Sequence, residues 1–183
     1  MSIGMKRGTV YLEEHQLEWE LAAEDTIQEI KRLLGDTAVD VQHIGSTSIK
    51  TIPAKPIIDI VVAVNDYDAV LEKKDIMEKD QIIFRIVERP EQLLLVKGDF
   101  EQDTRTHHIH VVLYKSKEWN DYINFRDYLN THENAARRYA ELKQELAQKY
   151  PNDRTAYTDG KSELISELLT NAAEWRNDSR GET

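Results

Sequence analysis

The chain has 183 residues, 40% hydrophobic and 32% charged, enough for one compact unit with a core of its own. Its formal net charge of -10 turns the surface as a whole against phosphate backbones, so non-specific nucleic-acid binding is not expected. The absence of cysteine excludes disulfides, thiolate zinc sites and cysteine nucleophiles, and leaves any metal to histidine and carboxylate.

The opening residues MSIGMKRGTV hold no apolar signal core, and no stretch approaches the ~18 apolar residues of a membrane span, so a soluble, cytoplasmic chain is expected. Within Leu12 to Leu34, Trp19, Ala23, Ile27, Ile30 and Leu34 recur at steps of three and four, and Gly35 supplies a stop; the spacing predicts an amphipathic helix. Val39 to Ile44 reads as a strand leading into a Gly45-Ser46 turn, and Ile57 to Val64 is a β-branched run suited to a strand buried on both faces. Between them there is room for little more than one helical turn. Ile82 to Val87, Leu93 to Val96 and His108 to Leu113 read as further strands, a meander beside the first two. Lys117 to Leu129, His132 to Tyr150 and Asp159 to Trp175 carry helical periodicity, separated by the linker YPNDRTAYTDGK, and the closing NDSRGET reads as a frayed end. Strands first and helices after predict an α+β protein.

Asp59 is the anomaly, an acid among Ile58, Ile60 and Val62. An ionised carboxylate in such a strand needs a partner, and period two places it on one face with Ile57 and Val61. Pairing with Lys55 or a nearby amide as pure structure is the plain explanation. Just before it, Gly45 permits a tight turn, Ser46 and Thr47 offer hydroxyls, and amides at the start of a short helix favour an anion such as phosphate. A Gly-Ser turn alone is a weak signal, more often a helix cap, and neither a P-loop nor a G-x-G-x-x-G pattern is present. The order strand, Gly-Ser, short helix, acidic strand sharpens it, because a phosphate site followed by a metal-binding carboxylate is the minimum for metal-assisted phosphoryl or nucleotidyl transfer. His108 and His110 sit two apart on a strand and so share a face, suited to holding a metal with Asp59 or flanking a substrate, while His107 points elsewhere; His43 is a fourth candidate. Lys55, Arg126, Lys143 and Lys161 are the cations nominated to converge on the turn as a phosphate-sized positive spot, with Tyr139 beside Lys143 and Tyr157 beside Lys161 at helical spacing. Taken singly, each reads as readily as core or solvated flank.

The stretch HIGSTSIKTIPAKPIIDIVVAV, with EWELAAEDTIQEIKRLLG before it, THHIHVV in the middle and FRDYL, YAELKQELA, YTDGKSELI and NAAEW after it, closely resembles the GrpB family from about Val10 to Trp175. The resemblance implies the nucleotidyltransferase superfamily fold of polymerase-β type: a mixed-sheet core over residues 10–115, a helical extension over 116–176 packed against it, and a tail from 177. It implies Gly45 and Ser46 as the phosphate-binding turn and Asp59 as the first of the acids that hold magnesium. Two residues on, where an active enzyme of this superfamily has its second acid, the chain has Val61, and the later strand that offers a third reads HHIHVV. One aspartate with histidines suits Zn²⁺ or Mn²⁺ better than Mg²⁺. Three functions are therefore open: a metal-dependent nucleotidyl or phosphoryl transferase with Asp59 and His110 in catalysis, a nucleotide-binding protein that lost catalysis, or a His/Asp metallohydrolase. In each the partner is a nucleotide or another phosphorylated small molecule.

Overall fold

The periodic apolar set in the first third of the chain makes helix α1, Leu17–Leu34, and all five predicted core positions are buried along it together with Thr26 and Leu33. The computed structural model describes residues 3–85 and 92–181. Upstream of α1 the chain holds a two-residue strand β1, Met5–Lys6, and the stretch expected to begin the helix stays extended instead. The reason is local: Glu13 exchanges two backbone hydrogen bonds with Ala54, of 2.8 and 2.9 Å, which commits those residues to a bridge. Gly35, at φ 55°, closes α1.

After α1 come β2, Ala38–Ile44, a single 3₁₀ turn at Ser46–Ser48, and β3, Ile58–Val64. Two short helices not foreseen from the sequence follow, α2 at Tyr67–Leu71 and α3 at Lys74–Lys79; Asp66 caps the first by accepting from the Asp68 amide. Then come β4, Ile83–Arg85, β5, Leu93–Lys97, the two-residue β6, Thr104–Arg105, and β7, His107–Leu113. Of the strand predicted over Ile82 to Val87, residues 86 and 87 lie outside the described residues. The main sheet runs β2-β3-β7-β5-β4, with β3 and β7 parallel and every other pair antiparallel, so the predicted meander is present and β7 joins it to the first two strands. β1 and β6 pair separately.

The helical part begins at α4, Lys117–Thr131, where Ser116 accepts from the Trp119 amide, and continues through α5, Glu133–Lys149. The segment read as a linker contains a further helix, α6, Arg154–Asp159, capped by Asp153 accepting from the Ala156 amide. The last helix, α7, runs from Ser162 to Gly181, past Trp175. Gly160 ends α6 just before α7 begins, and it packs so close to Leu146 that a Cβ there would lie 2.6 Å from a leucine methyl.

Period two on β3 splits the interior. Ile58, Ile60, Val62 and Val64 pack with α1 on one face; Val61 and Ala63 pack with Ile44, Val112 and Trp119 on the other, beneath the helices that follow the sheet. The core of the first face predicts one number. Ile30 is fully buried there, and Ile30→Ala is expected to cost about 3 kcal/mol by urea unfolding; a loss below about 1 kcal/mol would show that α1 does not anchor the sheet.

Candidate functional site

Asp59 projects from β3 to the side that carries α4 to α7, and the turn before it is shaped around its carboxylate. Gly45 adopts φ 70°, and a Cβ there would collide with Oδ2 and lie 2.8 Å from the Asp59 Cβ. The glycine is therefore required both by its backbone and by its neighbour. Its carbonyl accepts from the Ser48 hydroxyl at 2.6 Å, which locks the 3₁₀ turn. Ser46 and Tyr139 of α5 line the same pocket as Asp59.

The parallel register of β3 with β7 places Asp59 beside His108 and Val61 beside His110. The three predicted residues converge: His108 Nδ1 lies 3.1 Å and His110 Nε2 3.9 Å from the same oxygen, Asp59 Oδ1. Burial alone would raise the Asp59 carboxyl, but hydrogen bonding and charge from the two histidines outweigh it and hold the group well below the usual carboxylate range. His110 Nδ1 meets the Tyr122 hydroxyl at 3.1 Å, and that hydroxyl donates to Gln92 at 3.0 Å, so the network reaches α4 and the start of β5. His107 points to the opposite face as expected, 3.1 Å from the Thr26 hydroxyl of α1. Burial, then the charge of Lys97, lowers His107 to about 4. His43 is also lowered by burial to about 4 and bonds Thr47 Oγ1 at 2.9 Å, so it belongs to the turn's support rather than to the Asp59 group.

Above the carboxylate stands a basic wall. Lys55, Arg154 and Lys161 line one pocket of about 260 Å³ with Gly45, Ser46 and Asp59. The ammonium groups of Lys55 and Lys161 sit over the Tyr157 ring at 5.2 and 4.3 Å from its centroid. Burial, then the charge of Lys55, brings Lys161 down to about 8; Lys55 is lowered by burial and by Arg154. Lys143 lies deeper, fully buried, donating to the Pro53 carbonyl at 2.6 Å and standing over the Tyr139 ring; burial, then Lys161 and Lys55, bring it to about 7. Among the described residues, none of these four cations has a carboxylate within 4 Å. Gly45, Phe125 and Tyr139 also line an adjoining space of about 600 Å³ walled by Tyr122, Ile165 and Leu169, with Glu118 and Asp121 among its lining residues.

The sequence model of the GrpB protein family matches residues 9–171. The chain belongs to the GrpB family. It is 35% identical over 170 residues to the glutamate-rich protein GrpB of Alkalihalophilus pseudofirmus, covering 91% of this chain and 98% of that one. With YqkA of Bacillus subtilis it shares 32% identity over 89% of its own length and only 48% of YqkA, so it spans about half of that relative. The crystal structure of GrpB from Enterococcus faecalis superposes with a TM-score of 0.82 at 29% identity, over 91% of this chain and 99% of that one. A Cid1 poly(U) polymerase structure with MgGTP bound aligns with a TM-score of 0.51 at 10% identity over 74% of this chain and 44% of that one, a likeness of fold. The mixed sheet with its appended helices is thus nucleotidyltransferase-like, as the sequence implied.

Three nominees fall outside the GrpB cleft: Lys143, buried on the Pro53 carbonyl, Thr47 and Arg126. Thr47 is buried and turned toward His43. Arg126 reaches over the edge strand β2, donating to Gln42 Oε1 and the His43 carbonyl at 2.7 and 3.0 Å and pairing with Asp127. In their place the structure supplies Arg154, Tyr122 and Gln92, which sequence reasoning missed. The Asn-Asp pair ahead of Arg154 was the one available signal, an N-cap hidden in apparent linker.

Magnesium, which the resemblance implies, is not matched by the donor set. Mg²⁺ takes near-octahedral oxygen ligands. Here Asp59 is a single carboxylate, Val61 is fully buried in apolar contact, and the facing strand brings imidazoles. Nor do the residues form a zinc or manganese centre: both histidines direct a nitrogen at Asp59 Oδ1, so a carboxylate oxygen occupies the point where their nitrogens meet. Among the described residues, no group of three or more His, Cys, Asp or Glu is placed to hold a metal ion.

Proposed function

We propose that this GrpB-family chain binds a phosphorylated small molecule of the nucleotide class in the cleft between sheet and helices. One observation carries the reading: Lys55, Arg154 and Lys161 converge on the Gly45-Ser46 turn without carboxylate partners among the described residues, in a protein of net charge -10. Three cations gathered beside a Gly-Ser turn, against the single carboxylate of Asp59, favour a compact anion. The nucleotide class is supported by the fold shared with a polymerase solved with GTP, and by the adjoining 600 Å³ space with aromatic walls, room for a base and sugar. Val61 in the position of the second acid favours binding over two-metal transfer.

Inorganic tripolyphosphate is a suitable probe, followed by calorimetry. Lys161→Gln and Lys55→Gln are each expected to weaken it about tenfold, roughly the value of one charge-assisted contact. Lys161 faces Lys55, Arg154, Tyr157 and Asp59, and loses its proton above about pH 8 in the free protein. Binding should therefore weaken as pH rises through 8 and be accompanied by proton uptake there. Unchanged affinity in both variants would remove the reading.

A further inference from the structure

We propose that the cleft binds condensed phosphate without a divalent cation, the place of a metal being taken by the His108 imidazole, with Asp59 as the positioning residue that orients it. The proposal rests on the phosphate reading above and goes beyond it by fixing what balances the ligand's charge.

Geometry gives the first argument. Oδ1 of Asp59 is addressed by both imidazoles, and Oδ2 lies against Gly45, so the carboxylate is built into the protein's own contacts. Electrostatics gives the second. A divalent ion in this pocket would face Lys55, Arg154 and Lys161 with a single carboxylate in its favour, and that carboxylate is already shared by two histidines. Repulsion by three cations at close range outweighs attraction by one partly satisfied anion, whereas a polyphosphate meets the opposite balance. The third argument is the free end of the imidazole. With Nδ1 turned to Asp59, Nε2 of His108 has no hydrogen-bond partner among the described residues, and the ring lines the pocket at 15% exposure. The contact of Nδ1 with Asp59 leaves Nε2 as the ring nitrogen available to a ligand in the pocket. Asp59 thus fixes the ring for an anion, not an ion for the anion.

The test titrates tripolyphosphate into the full chain by calorimetry, once in EDTA and once in millimolar Mg²⁺. Affinity in EDTA is expected to be no weaker than in magnesium, and His108→Gln, which leaves Asp59 in place, should weaken it about tenfold in EDTA. Binding that tightens about tenfold with magnesium, with the gain lost in Asp59→Asn, overturns the proposal, as does unchanged binding in a folded His108→Gln. A second arm needs no phosphate: Mn²⁺ is added to ligand-free protein and free ion is followed by electron paramagnetic resonance. Equal free fractions for the parent chain and Asp59→Asn support the assignment, and a saturable one-to-one site present only in the parent overturns it. If tripolyphosphate binds in neither buffer, the phosphate reading falls, and the manganese arm still decides the metal-free assignment.

Discussion

Replacing Lys143 by methionine is expected to remove its own share of a rise in folding stability between about pH 7 and pH 10, a share on top of what Lys161 and Lys55 contribute. Lys143 is fully buried, its ammonium bonded to the Pro53 carbonyl, with Lys161 and Lys55 as its nearest charges and Tyr139 beneath it. No carboxylate among the described residues compensates it, so the folded chain releases the proton at about 7. The unfolded chain holds that proton up to about pH 10.4. Between those limits the unfolded state binds more protons, so stability climbs with pH across the window and levels off at either end. The gap corresponds to a change on the order of 4 kcal/mol. Urea unfolding of parent and Lys143→Met at several pH values reads it as a difference, in which other titrating groups cancel. A difference that stays constant from about pH 7 to pH 10 would show that Lys143 keeps its charge in the fold.

Gly45→Ala is expected to be strongly destabilising for the addition of a single methyl. The residue sits at φ 70°, and the added carbon would overlap the Asp59 carboxylate and its Cβ. Backbone strain contributes about 1 kcal/mol and the overlap a further 1 to 3, so a loss of about 3 kcal/mol and a melting midpoint lower by about 10 °C are expected. Gly35→Ala is the control. It has φ 55° but nothing within 4 Å of the added carbon, and should cost only the backbone part, about 1 kcal/mol. Equal losses at the two positions would mean that the contact between Gly45 and Asp59 carries no energy.

The parts of the site that lie along strands were legible. Period two alone put Asp59 on the face opposite Ile58 and Ile60, set His108 and His110 together and sent His107 away, and all of this is observed. What strand periodicity does not encode is the rotation of a helix against a sheet. Arg126 and Lys143 both have the right chemistry and a suitable helical position, yet one is turned to the outer edge of β2 and the other into the interior beneath Pro53. Arg154 was hidden for a different reason. A six-residue helix between Pro151 and Gly160 has too few turns to show a period, and only its aspartate cap marks it. Gly160 does end that helix, and it also packs against Leu146, a contact the sequence does not encode.

The parallel pairing of β3 with β7 has a consequence for biosynthesis. Asp59 and His108 are 49 residues apart in sequence, and every residue between them must be translated and arranged before the two strands can lie side by side. Such long-range pairing carries a loop-closure cost and slows folding relative to the local helices at the chain's end. On the ribosome, the acidic strand emerges well before its histidine partners, and Asp59 remains a hydrated, ordinary carboxylate during that interval. The unusual chemistry of the pocket belongs to the completed chain alone, and a nascent fragment ending before His107 has none of it.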